Sequence, residues 1–219
     1  MSVRRILCFG DSLTWGVVPG TRNRHAADWR WPIVLRDQLS AEVLEAGLNG
    51  RTTAYDFPGR PYRNGVETLP MLLEQHAPLD LVIIMLGTND LFSVPNPTAE
   101  HVVFGLQQLT RMAHAPAAEP GMPVPNIMIV TPPLPRIVPN SPYPFAKVTL
   151  QIEAQAKRLP SLLQAFAHEH DCAYFDGSHL MTDGSDGIHL AQDVSRKLGL
   201  GIADAVLNSL ALRAEASIL

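Results

Sequence analysis

Two segments far apart in the 219-residue chain carry side chains that together could form an activated nucleophile. Ser12 follows the apolar run 6–9, at a point where a buried strand would empty into a turn. Asp186 and His189 lie three residues apart, which allows the carboxylate to support the imidazole while its second nitrogen faces a hydroxyl. A serine hydroxyl needs such a base at neutral pH, and imidazole, with an ordinary pKa near 6.5, suits the task. These residues predict a nucleophilic Ser12, a base at His189 and an orienting carboxylate at Asp186.

The same chemistry needs hydrogen-bond donors for the oxyanion that forms on the attacked carbonyl. Gly50 offers a backbone N–H that no side chain shields, and Asn89 offers a side-chain amide. The backbone N–H of Ser12 is a third donor in the same turn as the nucleophile. These three donors predict an oxyanion hole.

Each of these residues has a second interpretation. Ser12 is also a suitable helix N-cap, and a lone Asp-x-x-His is usually only a turn. Gly47 competes with Gly50, and Asp183 lies near the histidine with a less suitable spacing of six residues. Asp11 and Asp90 stand in the same turns, where we expect them to accept hydrogen bonds from backbone N–H groups.

Five apolar segments predict strands, at residues 6–9, 42–46, 79–86, 127–130 and 172–175. Helices are predicted at about 29–39, 64–76, 98–113, 146–169 and 191–212, the fourth with a break near Pro160. Strands that alternate with helices indicate a parallel sheet with right-handed crossovers. We therefore expect an α/β fold, a three-layer α/β/α sandwich around a five-stranded parallel sheet with flavodoxin-like strand order.

This fold would bring the candidate residues together. They follow the first, second, third and fifth strands, and open parallel sheets bind ligands outside the carboxyl ends of their strands. The length suits a single domain over residues 1–219. We expect proline-rich loop insertions near 91–97 and 132–144, the second rigid and extended.

The composition and charge of the chain limit the kinds of partner that it could bind. The formal net charge of −4 indicates no basic surface for nucleic acid. Charged residues make up only 17%, which favours self-association into a homo-oligomer. Only four apolar residues, 6–9, lie between the N-terminal segment 1–5 and Gly10, too few for a signal peptide or a membrane span, so we expect a cytoplasmic protein without membrane contact.

No cofactor or metal is expected. Cys8 and Cys172 are predicted core thiols, and no Cys/His set has zinc spacing. Phosphate-binding glycine loops of the G-x-x-x-x-G-K-[ST] or G-x-G-x-x-G type are absent from the sequence, which disfavours a nucleotide-binding domain. The G-x-S-x-G elbow of α/β-hydrolases is absent as well.

Four motifs in order resemble the SGNH (GDSL-type) hydrolases. They are Gly10-Asp11-Ser12-Leu13, Gly50, Gly87-Thr88-Asn89-Asp90 and Asp186-x-x-His189. The resemblance spans essentially the whole chain. It implies a catalytic Ser12 with His189 and Asp186, and an oxyanion hole built from the N–H groups of Ser12 and Gly50 and the side chain of Asn89. It also favours Gly50 over Gly47, because the family's glycine precedes a polar residue and a threonine.

Segments 6–16 and 81–90 resemble the mycobacterial arylesterase/acyltransferase branch of this family. The resemblance implies a serine esterase for short-chain aryl or alkyl esters, transfer of acyl groups to alcohols, and an octamer. Trp15, Ile188 and Leu190 could form apolar walls that favour an alcohol over water. A carbohydrate acetylesterase or a thioesterase is an alternative within the family. A non-catalytic flavodoxin-like ligand-binding domain is the alternative from a different class.

Overall fold

Short apolar strands separated by amphipathic helices build a parallel sheet in this protein. The computed structural model describes residues 5–115, 123–143 and 146–216. The strands are β1 (Arg5–Gly10), β2 (Glu42–Gly47), β3 (Leu81–Met85), β4 (Asn126–Thr131) and β5 (Ala173–Asp176). Their order in the sheet is β2-β1-β3-β4-β5, and every neighbouring pair is parallel. The predicted class and the flavodoxin-like strand order are confirmed.

The helices connect successive strands, and the last helix follows β5. They are α1 (Ser12–Trp15), α2 (Trp31–Leu39), α3 (Gly65–Gln75), α4 (Asp90–Ser93), α5 (Ala99–His114), α6 (Leu150–Ala156), α7 (Leu159–Glu169) and α8 (Gln192–Ala216), with a 3-10 turn at Ala27–Trp29. The predicted helix over 146–169 is two helices. The second begins one residue before Pro160, in the first turn, where a missing N–H costs nothing.

Residues of β3 alternate between two cores. Ile84 packs with the core that α3, α5 and α7 cover, whereas Ile83 packs with the core beneath α2 and α8. Both side chains are completely buried. This burial on both faces explains the nearly continuous apolar sequence of the strand.

The proline-rich insertions differ in structure. The passage near 91–97 begins inside α4 and becomes irregular only after Ser93. Residues 132–143 form no helix or strand, in agreement with their prolines, and the last residue of that passage, 144, lies outside the described residues. In the part of the chain that the structure describes, no helix is long and apolar enough to cross a membrane.

Candidate active site

Ser12 lies where β1 ends and α1 begins. The Asp11 carboxylate caps this helix and accepts a hydrogen bond from the Leu13 N–H at 2.9 Å. Gly10 is required in front of it, because a Cβ there would fall 2.0 Å from the Thr14 hydroxyl. The tight turn leaves Ser12 only 7% exposed, at the carboxyl edge of the sheet.

A chain of hydrogen bonds joins Ser12 to His189 and Asp186. The His189 Nε2 atom is 2.9 Å from the Ser12 Oγ, and its Nδ1 atom is 2.9 Å from the Asp186 Oδ2. A hydrogen on Nδ1, donated to the carboxylate, leaves the Nε2 lone pair facing the serine hydroxyl. In the sequence, Ser12 lies 177 residues from His189, whereas Asp186 lies only 3 residues from it.

Backbone N–H groups hold the Asp186 carboxylate from two directions. Its Oδ1 accepts from the N–H groups of Ile188 and His189 at 2.8 and 2.9 Å, and its Oδ2 accepts from the Gly20 N–H at 2.8 Å. Burial raises the pKa of Asp186, but the hydrogen bonds and charge of His189 together with the Gly20 N–H lower it to about 2. Asp186 is therefore an anion at neutral pH.

Gly47 and Gly50 have different roles at the end of β2. A Cβ on Gly47 would fall 2.3 Å from the Trp15 backbone nitrogen, so this glycine allows α1 to pack against the strand. Gly50 lies beyond the strand with a φ of 84°, a left-handed backbone that favours glycine. Among described residues, no group accepts a hydrogen bond from the N–H of Gly50 or of Ser12. Both donors are thus available at the sheet edge.

The Asn89 amide has partners of its own. Its Nδ2 donates to the Asp11 Oδ2 at 2.9 Å and to the Arg51 carbonyl at 3.1 Å. Both amide hydrogens are therefore engaged within the protein, which the sequence did not indicate. Burial raises the pKa of Asp11 to about 6, although the Leu13 N–H and the charges of His189 and Arg51 act in the opposite direction.

Arg51 is a buried cation that the sequence analysis did not assign to the site. Its guanidinium donates to the carbonyls of Gly10, at 2.9 Å, and Ala46, and lies 4.1 Å above the centre of the Phe9 ring. Burial lowers its pKa to about 10, a value at which it stays charged at neutral pH. Arg51 thereby ties the ends of β1 and β2 together beneath the two backbone donors.

Asp90 joins the loops that carry Gly50 and Asn89. Its carboxylate accepts from the Thr53 N–H at 3.0 Å and from the Thr53 hydroxyl, and the aspartate is completely buried. It therefore stabilises a neighbouring loop, whereas the sequence interpretation placed its role in its own turn. Burial raises the pKa of Asp90 to about 6, against the lowering effect of the Thr53 hydrogen bonds.

The rival candidates lie elsewhere. The Asp183 carboxylate accepts from the N–H and hydroxyl of Ser185, so it orders the loop rather than the imidazole. Ile188 packs in one core and Leu190 in the other. Trp15 is partly exposed beneath the Arg24 guanidinium, which lies 5.1 Å from its ring. Within the described residues, no group of three or more His, Cys, Asp or Glu side chains could hold a metal ion.

Known proteins are similar to this chain in sequence and fold. A carbohydrate acetylesterase family member from Sinorhizobium meliloti is 38% identical, over 95% of this chain and 99% of that one, with a TM-score of 0.87. The inhibitor-bound aryl esterase of M. smegmatis is 38% identical, over 94% and 99% of the two chains, with a TM-score of 0.86. An arylesterase from Vibrio mimicus is 35% identical over 91 residues, which span 39% of this chain and only 38% of that protein. The model of the GDSL-like Lipase/Acylhydrolase family matches residues 8–195. The chain therefore belongs to this family of hydrolytic enzymes, as its four motifs predicted.

Proposed function

We propose that this protein is a serine esterase that cleaves short-chain carboxylic esters through an acyl-enzyme on Ser12. The observation that carries the proposal is the unbroken hydrogen-bond chain from Asp186 through His189 to Ser12, with 2.9 Å at both steps. These are the distances at which a base can take a proton from a nucleophile and be oriented by a carboxylate.

In the acylation step, the Ser12 Oγ attacks the ester carbonyl while its proton moves to the His189 Nε2. Asp186 is an anion with a low pKa, so it stabilises the imidazolium that forms without taking its proton. His189 then gives the proton to the departing alcohol oxygen as the carbonyl reforms. The product is an ester of Ser12 and a free alcohol.

The oxyanion would accept hydrogen bonds from the N–H groups of Ser12 and Gly50, which have no other acceptor among the described residues. Asn89 would be the third donor. Since both of its amide hydrogens already bond to Asp11 and to the Arg51 carbonyl, it would share or release one of them when the oxyanion forms. The negative charge that develops on the carbonyl oxygen supplies the driving force for that exchange.

Short-chain aryl and alkyl esters are our first substrate class, and acetyl esters of carbohydrates are the second. The first follows the aryl esterase relative from M. smegmatis, and the second follows the acetylesterase family member from S. meliloti. Initial rates on p-nitrophenyl esters of increasing acyl length and on acetylated sugars, with wild type and Ser12→Ala, test the proposal. Activity lost in the variant supports it; equal rates in both proteins would exclude Ser12 as the nucleophile.

We also propose that alcohols can intercept the acyl-enzyme. Any nucleophile that reaches His189 can attack acyl-Ser12, so the product depends on whether water or alcohol occupies that position. Of the residues expected to form an apolar wall, Ile188 and Leu190 are buried and Trp15 is partly exposed. Excess benzyl alcohol with an activated acetate should give benzyl acetate by gas chromatography. Acetic acid as the only product would exclude acyl transfer.

A homo-oligomer, with the octamer as its first candidate, is our proposal for the quaternary state. Large apolar side chains are exposed at Tyr62, Leu150 and Met181, by 76%, 77% and 67% respectively. The low charge content favours contact between copies. Light scattering at micromolar concentration should give a mass several times that of one chain. A monomer mass would remove the proposal.

A further inference from the structure

The ring of Tyr143 packs against the imidazole of His189. The two ring centres are 5.4 Å apart, and the planes meet at 75°, an edge-to-face arrangement that aromatic pairs prefer. Tyr143 lies in the proline-rich insertion after β4, far from the histidine in sequence. His189 therefore touches Asp186 through Nδ1, Ser12 through Nε2 and Tyr143 through its ring.

The same short loop holds both Tyr143 and Asp186. The Tyr143 hydroxyl donates to the Thr21 carbonyl at 2.6 Å, and the N–H of the preceding residue, Gly20, donates to the Asp186 Oδ2 at 2.8 Å. Two adjacent residues of the loop thus fix the two groups that flank the imidazole.

This loop, residues 17–25, is itself anchored at both ends. Val17 and Arg24 form an antiparallel bridge, and the Arg24 Nε donates to the Trp15 carbonyl at 2.7 Å. The His25 Nε2 is 2.9 Å from the Leu190 carbonyl, next to the histidine of the site. The loop that holds Tyr143 is therefore tied to the rest of the protein at both of its ends.

We propose that Tyr143 is a positioning residue that sets the tilt of the His189 imidazole, an inference that rests on the proposed function. The hydrogen bond to Asp186 fixes Nδ1 but leaves the ring free to tilt about that contact. The Tyr143 ring removes this freedom, because tilting would drive the imidazole against the tyrosine ring. Nε2 then stays directed at the Ser12 hydroxyl, and the Thr21 carbonyl keeps Tyr143 in place.

Two substitutions distinguish the contribution of the Tyr143 ring from that of its hydrogen bond to Thr21. Tyr143→Phe keeps the ring and loses the hydrogen bond to Thr21, whereas Tyr143→Leu loses the aromatic contact and keeps apolar volume. Because small misplacements of a reacting group are costly, we expect kcat to fall about 5-fold in the first variant and about 50-fold in the second, with KM nearly unchanged. The rate of Ser12 phosphonylation should fall in parallel.

Each kcat is measured per active site, with the sites counted by titration with an organophosphonate. A purely structural role would lower the number of active sites and leave kcat per site unchanged. Tyr55 offers a matched control: its ring meets His101 at 5.8 Å and 75°, and its hydroxyl donates to the His101 carbonyl at 3.1 Å. Tyr55→Phe and Tyr55→Leu should keep the wild-type kcat per site.

A Tyr143→Leu kcat per site within about 2-fold of wild type would overturn the inference, since that is inside the range of a neutral change. A higher KM or an altered acyl-chain preference at constant kcat would also overturn it, because the ring would then contact substrate. In the His189→Ala background, Tyr143→Leu should cause no further loss; an equal loss there would show that Tyr143 does not act through the histidine. A wild-type protein that neither hydrolyses esters nor titrates would instead refute the proposed function.

Discussion

Replacement of Asp186 by asparagine should reduce both the activity and the stability of this protein. The Asp186 carboxylate accepts four hydrogen bonds, two at each oxygen, from Ile188, His189 twice, and Gly20. An amide has one accepting oxygen, so whichever way it turns, its NH₂ group faces two donors. If the NH₂ group faces His189, the imidazole must carry its hydrogen on Nε2, where it can no longer accept the Ser12 proton.

The two losses can be estimated separately. Wrong-tautomer substitutions at serine triads lower kcat by about 10⁴-fold, and we expect the same order here. The fall of the Asp186 pKa from 3.8 to about 2 corresponds to about 2 kcal/mol of stability at neutral pH. In the orientation that changes the tautomer, the Gly20 N–H is left without its acceptor, and one unsatisfied buried donor costs about 1–3 kcal/mol. Since these figures describe overlapping interactions, we expect a total loss of about 3 kcal/mol.

The measurement is urea unfolding of wild type and Asp186→Asn at several pH values, with kcat per titrated site. A carboxyl group whose pKa is lower in the folded state stabilises the protein above its unfolded pKa, and this stability disappears as the pH falls through the folded value. The difference between the two proteins should thus be constant above about pH 5 and shrink between about pH 4 and pH 2. A pH-independent difference, or a variant with wild-type kcat, would refute this account of Asp186.

Two further predictions concern the frame around the site. Gly105→Ala in α5 would place a Cβ 1.7 Å from the hydroxyl of Thr53, the partner of Asp90, so it should lower the free energy of unfolding in urea by about 2–3 kcal/mol. In the control Gly184→Ala, the new Cβ would lie 3.5 Å from its nearest neighbour, so the loss should be far smaller. Equal losses in the two variants would contradict the steric argument. Burial raises the pKa values of Asp11 and Asp90 to about 6, so the protonated form of each side chain favours the folded state. Each contributes about 3 kcal/mol to the free energy of unfolding, and this contribution should be lost as the pH rises from about 4 to about 6. Asp11→Asn should lower the dependence of unfolding free energy on pH in that range; an unchanged slope would show that Asp11 is not the titrating group.

The positions of most strands were predictable because they are apolar runs bounded by polar turns, and the flavodoxin-like order followed from the alternation of strands and helices. Helices α1 and α4 were not, since four residues are too few for a hydrophobic period to appear. The break between α6 and α7 was visible only as a proline. The predicted family and fold are confirmed.

The candidate site residues could be found because Ser12, Gly50, Asn89 and His189 each follow a strand, and the fold collects those ends at one edge. Their catalytic roles stay predictions. The supports of the site could not be predicted, since Gly20 meets Asp186 across 166 residues and Tyr143 meets Thr21 across 122. Such contacts depend on how loops pack, for which periodicity carries no information.

The central claim is that Ser12 is the nucleophile, and one mass measurement tests it most directly. Wild type and Ser12→Ala are treated with the same organophosphonate, and the intact masses are compared. We expect one adduct on wild type, located on Ser12 by peptide mapping, and none on the variant, because His189 Nε2 lies 2.9 Å from that hydroxyl and can take its proton. An adduct of the same stoichiometry on Ser12→Ala would contradict the claim and place the nucleophile elsewhere.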